Sequence, residues 1–287
     1  MLSPARSEFS VIRERWEELR FEDEDEDDFQ PAEHCFPSIA KPDQKHYAFG
    51  MSESGIKHHL PGFDQALDAL KEDVTLMANL VGRNLANARA GFAERDEDFS
   101  AAVIADDDEV DLLEKQVDRL GTDILMRYQP LITDLRTVLA TIKLSNILER
   151  TSNHAVSIAR RSRKLAEAPS PADGQASLLT HFDDVIRLFS EAIAAFRDVD
   201  RVGAGRVLGR TESLATAGRD FVECFTECLE EQPFGSRTYV NLMAIAQSLE
   251  EITYLAEHIA HEIVYIAEAR DVRHPHNTLA ETEETSR

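Results

Sequence analysis

The chain is short of most residues and motifs that build catalytic or membrane-spanning proteins. It has three cysteines in 287 residues, an odd number that gives no disulfide framework and fits a reducing compartment. Cys224 and Cys228, four residues apart, read as small core packing. There is no 18-residue uncharged run to span a bilayer and no N-terminal apolar stretch like a secretory signal, so a cytoplasmic location is expected. Basic residues are scarce: 31 Lys and Arg stand against 54 Asp and Glu, a formal net charge of −23. Such a surface repels nucleic acid and anionic lipid, whose binding depends on neutralising phosphates, so neither nucleic-acid binding nor membrane insertion is expected. The densest basic run, Arg160-Arg161-Ser162-Arg163-Lys164, reads as a helix end, where the macrodipole favours cations. Walker loops, Gly-x-Ser-x-Gly, dinucleotide fingerprints, His-Glu-x-x-His and Glu-x-x-His are all missing. These absences argue for a protein that is not an enzyme.

What the chain does have is helical periodicity. Apolar residues make up 43% of it, enough for a substantial core. Beyond residue 61 the prolines are few, and long blocks between them carry apolar residues at steps of three and four. The first block runs Phe63, Leu67, Leu70, Val74, Met77, Val81, Leu85, Ala88, Phe92. A second helix is expected through Val103, Val110, Leu113, Val117, Leu120, Ile124 and Tyr128, and a third beyond Pro130. The later half repeats this plan, ending in the stripe Leu242, Ile245, Leu249, Ile252, Ala256, Ile259, Ile263, Ile266. Landmarks recur at a spacing of about 100 residues: Phe92 with Phe196, Val110 with Leu214, Pro130 with Pro233, Leu148-Glu149 with Leu249-Glu250. The expected fold is all-α, two tandem three-helix bundles related by internal duplication. The expected layout is an acidic, mostly disordered extension over 1–55, a first repeat over 56–166, a linker over 167–175, a second repeat over 176–270 and a disordered tail over 271–287. The extension holds the acidic run Glu22 to Asp28, and the linker holds Pro169, Pro171 and Gly174.

Chemistry is expected where acids fall on otherwise apolar faces. Asp107 continues the line of Val103, Val110 and Val117, with Asp111 one turn later; Glu149 continues Leu135, Ile142 and Val156, with Asn153 one turn later. Each pair stands at i and i+4, so both side chains leave one face of a helix. A buried carboxylate needs a partner, a proton or a metal. Asp107, Asp111, Glu149 and Asn153 are therefore a candidate set of oxygen ligands for a divalent or ferric ion. The competing reading is an acidic first helical turn and ordinary ion pairs. His258-x-x-His261-Glu262 flanks the stripe of Ile259 and Ile263 and reads as a solvated helix face.

Three segments together resemble the PhoU family of phosphate-uptake regulators: Val103 to Glu114, Gln129 to Arg136, and Lys143 to Ala159. The resemblance spans roughly residues 56 to 270 and is clear in the first repeat. It implies a pair of three-helix bundles, commonly dimeric, acting without catalysis. The implied role is negative control of phosphate uptake and of the phosphate-starvation response, by docking on a phosphate ABC transporter and a sensor histidine kinase. Some members carry metal clusters on acid-x-x-x-Asp motifs, which places Asp107 with Asp111 and Glu149 with Asn153 here. Asp134 and Arg136 are the partner contacts expected on the first repeat. The second repeat departs from the pattern, with Thr211, Ala215 and Tyr254 where acids stand in the family and Glu251 in place of arginine. Rival readings are a metal-binding bundle for storage or sensing and a helical adaptor in another signalling pathway.

Overall fold

The apolar steps of three and four close into seven helices, seen in a computed structural model that describes residues 61–167, 174–231 and 236–268. The expectations for residues 1–55, for 168–173 of the linker and for the tail 271–287 lie outside the described residues. α1 (Phe63–Glu94) buries all nine residues of its apolar stripe. α2 (Glu97–Ala105) starts at Asp96, whose carboxylate accepts from the Asp98 N–H at 2.8 Å. α3 (Asp107–Tyr128) and the long α4 (Ile132–Ala166) complete the first half. The second half consists of α5 (Gln175–Asp198), α6 (Arg201–Glu231) and α7 (Ser236–Glu268). The described helices form tandem bundles within one compact unit that begins at Leu60.

One expectation needs correction. The second helix of the first half is not continuous through Val103 and Val117 but breaks at Asp106, between α2 and α3. Asp106 still donates its N–H to Ala102 O, and its own carbonyl accepts from Glu109 and Val110. Its carboxylate is drawn to Arg83 of α1 at 2.9 Å. Asp107, Asp108 and Glu109 then form an acidic first turn of α3, where the dipole favours them. The first half thus has three long helices and one short one.

The halves meet along α4 and α7, which run antiparallel. Arg136 Nε donates to Ile266 O at 3.2 Å, Lys143 Nζ pairs with Glu262 at 3.0 Å, and Arg161 Nη1 donates to Asn241 Oδ1 at 3.4 Å. Position numbers fall along one helix as they rise along the other, which fixes the direction. Ser145, Thr151 and Ser162 of α4 and Ser248 and Thr253 of α7 are buried, and each hydroxyl returns to a carbonyl of its own helix at 2.8–3.0 Å. A second tie links α1 to α5, where Arg89 grips Asp183 through two bonds of 2.9 Å. Within the first half, Gly121 of α3 lies against α4: a Cβ there would stand 2.6 Å from Ile142.

Candidate functional site

Asp107 and Asp111 lie on α3, and Glu149 and Asn153 on α4, as the i and i+4 spacing requires. Asp107 is half-buried, and the Ser152 hydroxyl on α4 donates to its Oδ1 at 3.4 Å. Burial, then the charge of Asp111, raises the Asp107 carboxyl above the ordinary aspartate range, against the lowering effects of Ser152 and Arg160. Glu114 belongs to the same face and was not among the expected residues. Its carboxyl is raised by burial first, then by Asp118, Glu149 and Asp111. Asp107, Asp111, Glu114 and Asp118 stand at i, i+4, i+7 and i+11, an acidic stripe along α3 that extends toward Glu149 of α4. That spacing was the available signal for Glu114.

Glu149 and Asn153 bond to each other on α4. Asn153 is exposed and donates its amide to Glu149 Oε1 at 2.7 Å. Among the described residues no three His, Cys, Asp or Glu side chains gather so as to hold a metal ion. The acids of this face raise one another's carboxyls.

The matching region of the second half is organised differently. Arg219 of α6 bonds to Glu212 and Thr216 on its own helix and to Glu250 and Tyr254 on α7. The histidine cluster of α7 is also not a uniformly solvated face. His258 is exposed, but Glu262 is only 4% exposed, because Lys143 reaches it across the seam. Cys224 and Cys228 are buried.

A different surface stands out at the turn between α3 and α4. Gln129 and Ile132 both take left-handed backbone conformations, with φ 47° and 49°. A β-branched residue there is costly, by about 1–3 kcal/mol. Pro130 is buried beneath the turn, while Met126, Leu131 and Ile132 are 64%, 58% and 63% exposed. Asp134 sits half-exposed in the first turn of α4, favoured by the dipole. Arg136 is turned inward to Ile266 O and the Thr133 hydroxyl. Ties from Arg136 to Ile266 and from Arg201 to Glu268 place the turn near the end of α7 and the start of α6, where Val199 and Val202 are also exposed. No described helix is long and apolar enough to cross a membrane.

Known proteins share this architecture. The PhoU domain family matches residues 74–162. A phosphate-specific transport system accessory protein PhoU homologue of Pseudomonas aeruginosa is 26% identical over 228 residues, covering 78% of this chain and 93% of the relative. A homologue of the same description from Aquifex aeolicus is 27% identical over 210 residues, covering 73% and 95%. The crystal structure of PhoU from Pseudomonas aeruginosa superposes with a TM-score of 0.71 at 24% identity, covering 72% of this chain and all of that one. The phosphate transport system regulatory protein PhoU of Streptococcus pneumoniae gives a TM-score of 0.60 at 18% identity. Residues 74–162 thus match the PhoU domain, and over most of its length the chain is similar to PhoU proteins.

Proposed function

We propose that the chain is a non-enzymatic regulator of phosphate transport that works by docking on partner proteins. The names of its relatives support the phosphate-transport part of this reading. The observation that carries the docking part is the turn of Met126, Leu131 and Ile132, an exposed apolar group on a chain of net charge −23. Exposed apolar residues held on a strained, well-anchored turn are suited to burial against another protein. In this reading the partners are a phosphate ABC transporter and a sensor histidine kinase in the cytoplasm. The chain acts as a homodimer that holds the phosphate-starvation response off. The rival reading, a metal ion on the first-half acidic face, draws on the raised carboxyls of Asp107 and Glu114, but its ligand set is incomplete.

Deleting the gene and measuring phosphate uptake and alkaline phosphatase output in phosphate-rich medium tests the regulatory role. Both are expected to rise. Unchanged levels in a strain without a second copy of the gene would contradict it. Metal analysis of purified protein separates the rival: one ion or more per chain, lost on Asp107→Asn, would favour it.

A further inference from the structure

Four side-chain oxygens from two helices of the second half converge on a single cation. Nη1 of Arg219 donates to Glu250 Oε1 at 3.1 Å and to the Tyr254 hydroxyl at 2.7 Å. Nη2 donates to Glu212 Oε1 at 2.9 Å and to Thr216 Oγ1 at 2.8 Å. Glu212 and Thr216 come from α6, Glu250 and Tyr254 from α7, so the guanidinium bridges the two helices. Close approach makes this possible: a Cβ on Gly218, the neighbour of Arg219, would stand 3.2 Å from the Glu250 Cβ. The bonds to Glu250 and then Glu212 push the guanidinium pKa above its already high value. Glu257, one turn or so further along α7, also faces this group; its carboxyl is raised by burial first and by Glu212 second.

The internal repeat gives the comparison. Aligning Asp107–Val110 with Thr211–Leu214 places Arg219 on Lys115. Aligning Leu148-Glu149 with Leu249-Glu250 places Tyr254 on Asn153. In the first half Lys115 is exposed and makes no salt bridge among the described residues, and Asn153 gives its amide to Glu149. At the aligned positions the second half holds a guanidinium bonded to four oxygens where the first half has an exposed lysine.

We propose that Arg219 is the resident cation of an oxygen-lined site between α6 and α7, and that its presence closes this face to external cations. The donors are two carboxylates and two hydroxyls, so the class admitted if the guanidinium were removed is a hard, oxygen-seeking ion. This does not depend on the chain's role in phosphate transport.

Terbium(III) tests it, because Tyr254 lies within bonding distance of the resident cation and would sensitise the luminescence of an ion bound in its place. In the wild type, Tyr254→Phe should leave the tyrosine-excited terbium signal unchanged. Arg219→Met should raise that signal severalfold and saturably, Arg219→Met with Tyr254→Phe should abolish the rise, and Arg219→Lys should stay silent. Thermal melts establish that each variant is folded, and Arg219→Gln is read in the same way where Arg219→Met does not fold. A folded Arg219→Met or Arg219→Gln protein with no more signal than wild type would overturn the proposal. So would a rise that survives Tyr254→Phe.

Discussion

Lys143 of α4 holds Glu262 of α7 at 3.0 Å while lying over the Tyr265 ring at 4.8 Å. The Glu262 side chain is 5% exposed and that of Lys143 39%. The pair is therefore buried at one end and wet at the other, and it bridges the two halves of the protein. Removing one partner of a buried pair strands the other charge, which costs about 3–5 kcal/mol. Lys143→Met is expected to lower stability by about that amount in urea unfolding, less any relief by water at its open side. Lys143→Met with Glu262→Met should recover much of the loss. Strictly additive losses would mean that the pair is not coupled.

Asn84, on the buried face of α1, is 0% exposed, and neither its Oδ1 nor its Nδ2 has a hydrogen-bond partner among the described residues. A buried amide without partners costs about 1–3 kcal/mol. Asn84→Leu, matched in heavy-atom branching but larger in volume, should raise the unfolding midpoint by that free energy less the cost of fitting the added volume. A lower midpoint would show that the amide is satisfied in solution.

The acidic face of α3 predicts a pH dependence with a definite sign. The folded-state carboxyls of Asp107 and Glu114 are raised by burial and by neighbouring acids. The folded protein therefore holds protons that the unfolded chain releases, and the contribution of these groups to stability is lost as pH rises through their folded values. Asp107→Asn and Glu114→Gln should each stabilise at neutral pH. The gain should shrink as pH falls through the raised values toward the ordinary carboxylate range. Thermal melts across that range check it; a gain independent of pH would point to packing instead.

Ile132 should respond oppositely in stability and in docking. Its φ of 49° favours glycine, so Ile132→Gly should stabilise the isolated protein, by up to about 1–2 kcal/mol after the entropy of glycine is counted. Because it removes an exposed apolar side chain, it should also weaken partner binding. Urea unfolding and a pull-down of partner from cell extract read the two effects separately. Loss of stability would contradict the left-handed assignment.

Much of this fold was legible before any coordinates, because local periodicity carries it. Every apolar position assigned to α1 is buried, and the stripe of α7 from Leu242 to Ile266 is buried throughout. The i and i+4 pairs Asp107 with Asp111 and Glu149 with Asn153 lie on α3 and α4, with Asp107 half-buried and Asn153 exposed. What escaped depends on distant partners or on backbone detail. Glu262 looked solvated because Lys143 lies 119 residues away along the chain. The break at Asp106 was hidden because an acidic run suits a helix start and a helix interior near its N-terminus about equally well. Arg219 was unreadable because its role needs α6 and α7 side by side. The left-handed Ile132 has no signature in sequence, since a β-branched residue is the opposite of what that conformation selects.

The most direct measurement is complementation of a strain lacking this gene. Wild-type protein should restore low alkaline phosphatase and normal phosphate uptake in phosphate-rich medium. Leu131→Asp with Ile132→Asp, folded and present at equal level, should restore neither. Full restoration by that variant would contradict the assignment of the α3–α4 turn as the docking surface. Failure of the wild type to restore repression would contradict the regulatory role itself.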